Sequence, residues 1–292
     1  MRSAGCVAPL AVGLLLQAGP AASQGRANHA DLVFPKEATE LSAFSPIAMG
    51  IWKPAGAGPF PALVIVHSCG GLKQQLGYWR SEAIKRGYVA FIIDAFSARG
   101  AANCRPSIPI PRTRGVKDIL DAAAHIKTFP FVDRNKVGMI GFSWGATTGL
   151  IAGSRAYAAE AAPGREPVAA TVSLYPNCFA PPFGGTQGNE FLRADHATPT
   201  LLLMGELDTE TPPSECLSRL PALKARDAPV EWHVYKDATH CWDCADQHNQ
   251  HWSPPWAGGR TVQYRYDGKI TEDSAARAFE FLNRRLGVSA RP

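Results

Sequence analysis

The chain has 292 residues, of which 46% are hydrophobic and 19% charged, and a formal charge of +5. This balance excludes intrinsic disorder, and a chain of this length buries a large core without needing a metal or a disulfide to fold. Its 27 glycines and 24 prolines follow no fixed period and no Lys/Arg block reaches five residues, which excludes collagen-like and solenoid architectures and a nucleic-acid footprint.

Met1-Arg2 opens a short basic start, an apolar stretch runs from Val7 to Leu16, and small residues fill Ala18 to Ser23. That order is the layout of a secretory signal peptide cleaved after Ser23. The apolar run is shorter than the roughly 20 residues of a membrane span. Residues 24–292 are then expected as one exported domain, periplasmic or secreted, with no membrane span left after cleavage. Cys6 falls in the leader, so six of the seven cysteines remain: Cys69, Cys104, Cys178, Cys216, Cys241 and Cys244. An even number in an exported chain points to disulfides.

Apolar runs ending in Gly-containing or polar loops recur at residues 60–66, 88–93, 136–140, 168–175, 200–204 and 230–235. Runs this apolar on both faces suit central strands of a parallel sheet. Helices are expected between them, at about 76–87, 114–128, 144–160, 212–226 and 271–286. The second carries Val116, Ile119, Leu120, Ala123 and Ile126 at the spacing of one buried stripe, with Pro130 stopping it. Residues 41–54 are expected as an antiparallel edge hairpin and 241–268 as a loop. Alternating strands and helices imply an α/β fold, a mostly parallel sheet with helices on both faces. In that sheet Cys178 and Cys216 follow neighbouring strands at one end, Cys69 and Cys104 do the same, and Cys241 with Cys244 closes a local loop. Cys241 and Cys244 with His248 and His251 also have a zinc reading, but the two pairs sit closer than zinc spacings usually allow.

Gly141-Phe142-Ser143-Trp144-Gly145 follows one strand run and precedes a helix, the setting in which G-x-S-x-G acts as a nucleophile elbow. Such a turn lifts the Ser143 hydroxyl above the sheet at a helix N-terminus, whose partial positive charge favours a developing oxyanion. A serine needs a base to remove its proton, and in this fold the acid and then the histidine follow it along the chain. Asp208, in Gly205-Glu206-Leu207-Asp208, and His240, in Ala238-Thr239-His240, both lie just after later strands. Glu206 and Glu210 compete for the role of the acid, and His248 and His251 for that of the base. One oxyanion donor is expected from the Trp144 amide. The other should come from the loop after the third strand, His67-Ser68-Cys69-Gly70-Gly71, with Cys69 chosen and His67 read as structural.

With these residues in place, positions 45–287 resemble the dienelactone hydrolase family of α/β-hydrolases. The resemblance rests on Val-Ile-Val-His-Ser-Cys-Gly-Gly, Arg86-Gly87-Tyr88-Val89-Ala90, the elbow, Leu-Tyr-Pro-Asn-Cys at 174–178, Gly-Glu-Leu-Asp and the final Ala-Thr-His. It implies a triad of Ser143, Asp208 and His240, and a small-molecule ester or lactone substrate. No cofactor is needed. Founding members carry a cysteine nucleophile and arginines that bind a dienelactone carboxylate. Here the nucleophile is a serine and no such arginines are matched, which suggests a more general carboxylic-ester hydrolase. A binding protein that keeps the fold, and a peptidase or acyltransferase on the same triad, are the alternatives. Trp242, His248, His251, Trp252 and Trp256 in residues 241–256 are expected to border the pocket as a lid or substrate wall.

Overall fold

The computed structural model describes Met1, Leu41 and residues 30–39, 47–104, 110–180, 188–254 and 259–289. The leader expected at residues 1–23, with Cys6, lies outside the described residues apart from Met1, and so does Trp256.

Strands β1 (Gly50–Trp52), β2 (Phe60–Val66), β3 (Val89–Ile93), β4 (Val132–Phe142) and β5 (Thr171–Leu174) join two later ones, β8 (Thr200–Gly205) and β9 (Val230–Tyr235). They form a seven-stranded sheet in the order β1-β3-β2-β4-β5-β8-β9. All neighbours pair in parallel except β1, which runs antiparallel to β3. Two small ribbons stand apart: β6 (Phe179–Ala180) pairs with β7 (Asn189–Glu190), and β10 (His251–Trp252) with β11 (Val262–Gln263).

The helices are α1 (Gln75–Lys85), α2 (Arg112–Ile126), α3 (Trp144–Ala152), α4 (Arg155–Ala161), α5 (Pro213–Leu217), α6 (Leu220–Lys224) and α7 (Gly268–Leu286). Side chains alternate faces along a strand, so a doubly buried strand feeds two cores. In β2, Leu63 and Ile65 join Trp79 of α1 and Phe279 and Leu282 of α7. Ala62, Val64 and Val66 instead meet Ile119, Ala123 and Ile126 of α2, the stripe expected from the sequence. Helices therefore cover both faces.

Four expectations change. Among the described residues of the 41–54 stretch only Gly50–Trp52 forms a strand, and it pairs with β3, so the run at 60–66 is the second strand. The helix expected over 144–160 breaks at Gly153, because Ser154 caps a new one: its Oγ accepts from the Tyr157 amide and donates to Asp195 Oδ2. The 212–226 helix likewise divides into α5 and α6, each with a proline in its first turn, where a missing N–H costs nothing. The 241–268 stretch is not all coil, since it holds a short helical turn at Ala245–Gln247 and the β10–β11 ribbon.

Disulfides join Cys69 to Cys104, Cys178 to Cys216 and Cys241 to Cys244, as expected. With Cys241 and Cys244 bonded to each other, neither offers a thiolate, which removes the zinc reading. Three disulfides point to an oxidising, exported environment. No helix among the described residues is long and apolar enough to cross a membrane.

Candidate active site

The register brings the candidate residues to one edge. Val66 of β2 pairs with Gly141 of β4, Phe142 with Leu174 of β5, Leu174 with Leu203 of β8, and Gly205 with Tyr235 of β9. The loops leaving β2, β4, β8 and β9 therefore emerge side by side at the carboxyl ends of the strands, where α/β sites form.

Ser143 occupies the turn between β4 and α3 with φ 47° and ψ −104°, a conformation that L-residues rarely adopt. Its N–H donates to Leu174 O at 3.0 Å. The flanking glycines are a matter of space. A Cβ on Gly141 would lie 2.6 Å from the Gly145 carbonyl, and one on Gly145 would lie 2.5 Å from Val66 O and 2.6 Å from His67 O. Gly145 thus lets the first turn of α3 press against the end of β2 and the start of the Cys69 loop.

That loop is tied down from several sides. His67 is buried, with Nδ1 2.7 Å from Ser68 O and Nε2 accepting from the Ala95 amide at 3.0 Å. Burial holds its imidazole below the ordinary pKa, so the ring stays neutral and structural, as the sequence reading expects. The ring stacks on the Trp144 indole at 5.8 Å. The Cys104 amide donates to Cys69 O at 3.0 Å, beside the disulfide between the same two residues. Arg99 in turn clamps this neighbouring loop to α2 through paired bonds of 2.7 and 2.8 Å to Asp118. The Trp144 amide is the first N–H of α3, one of the donors that a helix cannot satisfy within itself.

On the other side, His240 Nε2 lies 3.0 Å from Ser143 Oγ, and Nδ1 lies 2.7 Å from Asp208 Oδ2. All three residues are buried. Asp208 Oδ1 accepts the amides of Glu210 and Thr211 at 2.8 Å each, and the Thr211 hydroxyl donates to Oδ2 at 2.8 Å. Gly205 allows the acid and base loops to meet, for a Cβ there would lie 2.6 Å from Ala238 O. Burial favours a neutral His240, but the charges of Asp208, Glu210 and Asp243 outweigh it and raise its pKa to about 9.

The rivals separate cleanly. Glu206 accepts the Asp237 amide at 3.2 Å instead of facing the histidine. Glu210 approaches His240 at the other nitrogen, 3.6 Å from Nε2. His248 accepts the Tyr266 amide and His251 is exposed beside Asn249 O, so neither meets the serine.

Several participants escape sequence reasoning. Tyr175 packs its ring 4.6 Å from the His240 ring and offers its carbonyl to Thr211. Its hydroxyl, with Trp79 Nε1, donates to the buried Asp243, each at 2.8 Å. Tyr264 stacks on the His240 ring at 5.5 Å, and Trp252 packs edge-on against Tyr264 at 4.8 Å. The segment after His240 therefore doubles back along its flank. Leu-Tyr-Pro-Asn-Cys at 174–178 was a visible signal for Tyr175; nothing local marks Thr211 or Tyr264.

A model of the dienelactone hydrolase family matches residues 47–286. A curated Yersinia pestis protein, provisionally named a carboxymethylenebutenolidase, is 24% identical over 229 residues, spanning 73% of this chain and 78% of that one. Among solved structures, a Klebsiella pneumoniae protein provisionally named a dienelactone hydrolase matches with a TM-score of 0.57 at 18% identity, over 81% of this chain and 93% of that one. Esterase 2 of Thermogutta terrifontis with propionate bound matches at 0.61 and 18%, over 84% and 91%. The same esterase phosphorylated by paraoxon matches at 0.60 and 18%, over 84% and 90%. At these identities the structural matches establish a shared α/β-hydrolase fold.

Proposed function

The chain belongs to the dienelactone hydrolase family, hydrolases of ester bonds, and we propose that it cleaves carboxylic esters or lactones through an acyl-enzyme on Ser143. The relay of 3.0 Å from Ser143 Oγ to His240 and 2.7 Å from His240 to Asp208 carries this reading. Ser143 Oγ attacks the ester carbonyl carbon while His240 Nε2 takes its proton. Asp208 holds Nδ1–H, fixing the tautomer, and balances the imidazolium. The amides of Trp144 and Cys69 bind the oxyanion, each contributing on the order of 3 kcal/mol. Collapse of the tetrahedral intermediate breaks the C–O bond, and His240 passes its proton to the leaving alcohol. Water, deprotonated by the same histidine, then releases the acid and restores Ser143.

Ser143 in place of a cysteine, and the absence of a matched arginine clamp, support a general ester substrate over a carboxylate-bearing dienelactone. Export after cleavage at Ser23 belongs to the same reading and agrees with the three disulfides. The test is hydrolysis of a chain-length panel of p-nitrophenyl esters by the mature protein and by Ser143→Ala. A loss of about 10⁴-fold or more in the variant is expected. Equal rates in the two proteins would overturn the nucleophile and bring a non-catalytic binding role forward.

A further inference from the structure

His240 lies between two carboxylates, and the triad uses only one of them. Glu210 stands two residues beyond Asp208 in the same loop, and its Oε2 is 3.6 Å from Nε2, the nitrogen that faces Ser143. Its side chain is only 15% exposed, so water screens that charge weakly. The Tyr264 hydroxyl donates to the same oxygen at 2.7 Å. Tyr264 is itself fixed to the histidine, pairing with His240 in a short bridge and stacking on its ring. A second tie, from the Thr209 hydroxyl to Thr261 O at 2.8 Å, fastens the acid loop to the same returning segment.

The surroundings of the imidazole are these. Asp208 holds Nδ1 from the loop after β8, and Ser143 faces Nε2 from the start of α3. Tyr175, from the loop after β5, and Tyr264, from the segment after β9, both pack against the ring. Asp243, from the segment after β9, is occupied by Trp79 and Tyr175. Among the described residues, Glu210 is the one carboxylate that lies beside Nε2.

Resting on the triad reading, we propose that Glu210 is a positioning residue: held by Tyr264, it pairs with the Nε2–H of the imidazolium while that proton waits for the leaving alcohol. The proton moves from Ser143 Oγ to Nε2 as the Oγ–carbon bond forms. It moves on to the alcohol oxygen as the ester C–O bond breaks. Glu210 takes no proton at either stage. Its charge keeps the imidazolium paired at both nitrogens and strengthens His240 as a base. The same charge also favours the protonated ring before substrate arrives, so the base becomes neutral only at higher pH.

Glu210→Gln keeps the shape of the side chain and one oxygen that can accept from Tyr264, but removes the charge. It is expected to move the acid limb of kcat/KM down by about 1 pH unit, the size of shift one neighbouring charge produces. Tyr264→Phe keeps the charge, so its acid limb is expected at or above the wild-type position. NMR titration of the His240 ring in both variants reads the same shifts without turnover, covering a variant that turns over poorly. An acid limb and a ring titration unmoved in Glu210→Gln would make Glu210 structural and overturn the proposal. Ser143→Ala separates the two readings: if it abolishes turnover while Glu210→Gln titrates as wild type, only the role of Glu210 fails. If Ser143→Ala stays active, the triad fails first.

Discussion

The two halves of the site are held in different ways. The serine side is fixed largely by close backbone contact and a covalent link: a strained residue at φ 47°, a glycine against the end of β2, and a disulfide between adjacent loops. The histidine side is fixed by side chains drawn from distant segments. Thr211 holds the acid, Tyr175 and Tyr264 pack against the ring, and Trp79 reaches Asp243 across 164 positions of sequence. Backbone geometry has few alternatives, whereas side-chain scaffolds distribute the work. The first half should therefore fail abruptly when altered and the second by degrees.

Gly145→Ala attacks the rigid half. Its Cβ would lie 2.5 Å from a backbone carbonyl that cannot swing aside, so α3 must move away from the Cys69 loop. A displacement near 1 Å costs about 100-fold in rate, and at least that loss in kcat is expected, checked by steady-state kinetics on a folded variant. A variant within a few-fold of wild type would show that the oxyanion donors tolerate movement.

Thr211→Val tests the distributed half. It removes a 2.8 Å hydrogen bond to the buried Asp208 carboxylate while two backbone amides remain. Denaturant unfolding should show a loss of about 1–3 kcal/mol, the range for a bond to a charged group, with kcat falling less than in Gly145→Ala. A larger kinetic loss than that of Gly145→Ala would reverse the comparison.

The smallest effect is read from pH. The base works only when neutral, and Asp208, Glu210 and Asp243 together hold His240 above its ordinary 6.5 despite burial. The acid limb of kcat/KM is therefore expected above pH 6.5, higher than the sequence alone suggests. A limb below 6.5 would mean that burial dominates and the carboxylates contribute little.

The same division explains what was legible in the sequence. Phe60–Val66 appears with its observed bounds because a doubly buried strand must be apolar throughout. Ser143, Asp208 and His240 could be picked out because each closely follows such a run, and the order of strands then brings them to one edge. The break at Gly153–Ser154 was hidden because the cap depends on Asp195, 41 positions away. Tyr264 and the Glu210 contact were hidden for the same reason: they depend on the return of the chain after His240, which no local pattern encodes. In the edge stretch, Gly50–Trp52 pairs with β3.

The identity of the nucleophile is tested most directly by covalent capture. Mature protein would be treated with paraoxon, which phosphorylates the Thermogutta esterase of the same fold, and digested for peptide mass mapping. The triad predicts one phosphoryl group per chain, on the peptide containing Ser143, in step with loss of esterase activity and absent from Ser143→Ala. Complete inhibition with Ser143 unmodified, or with the adduct on another residue, would contradict it.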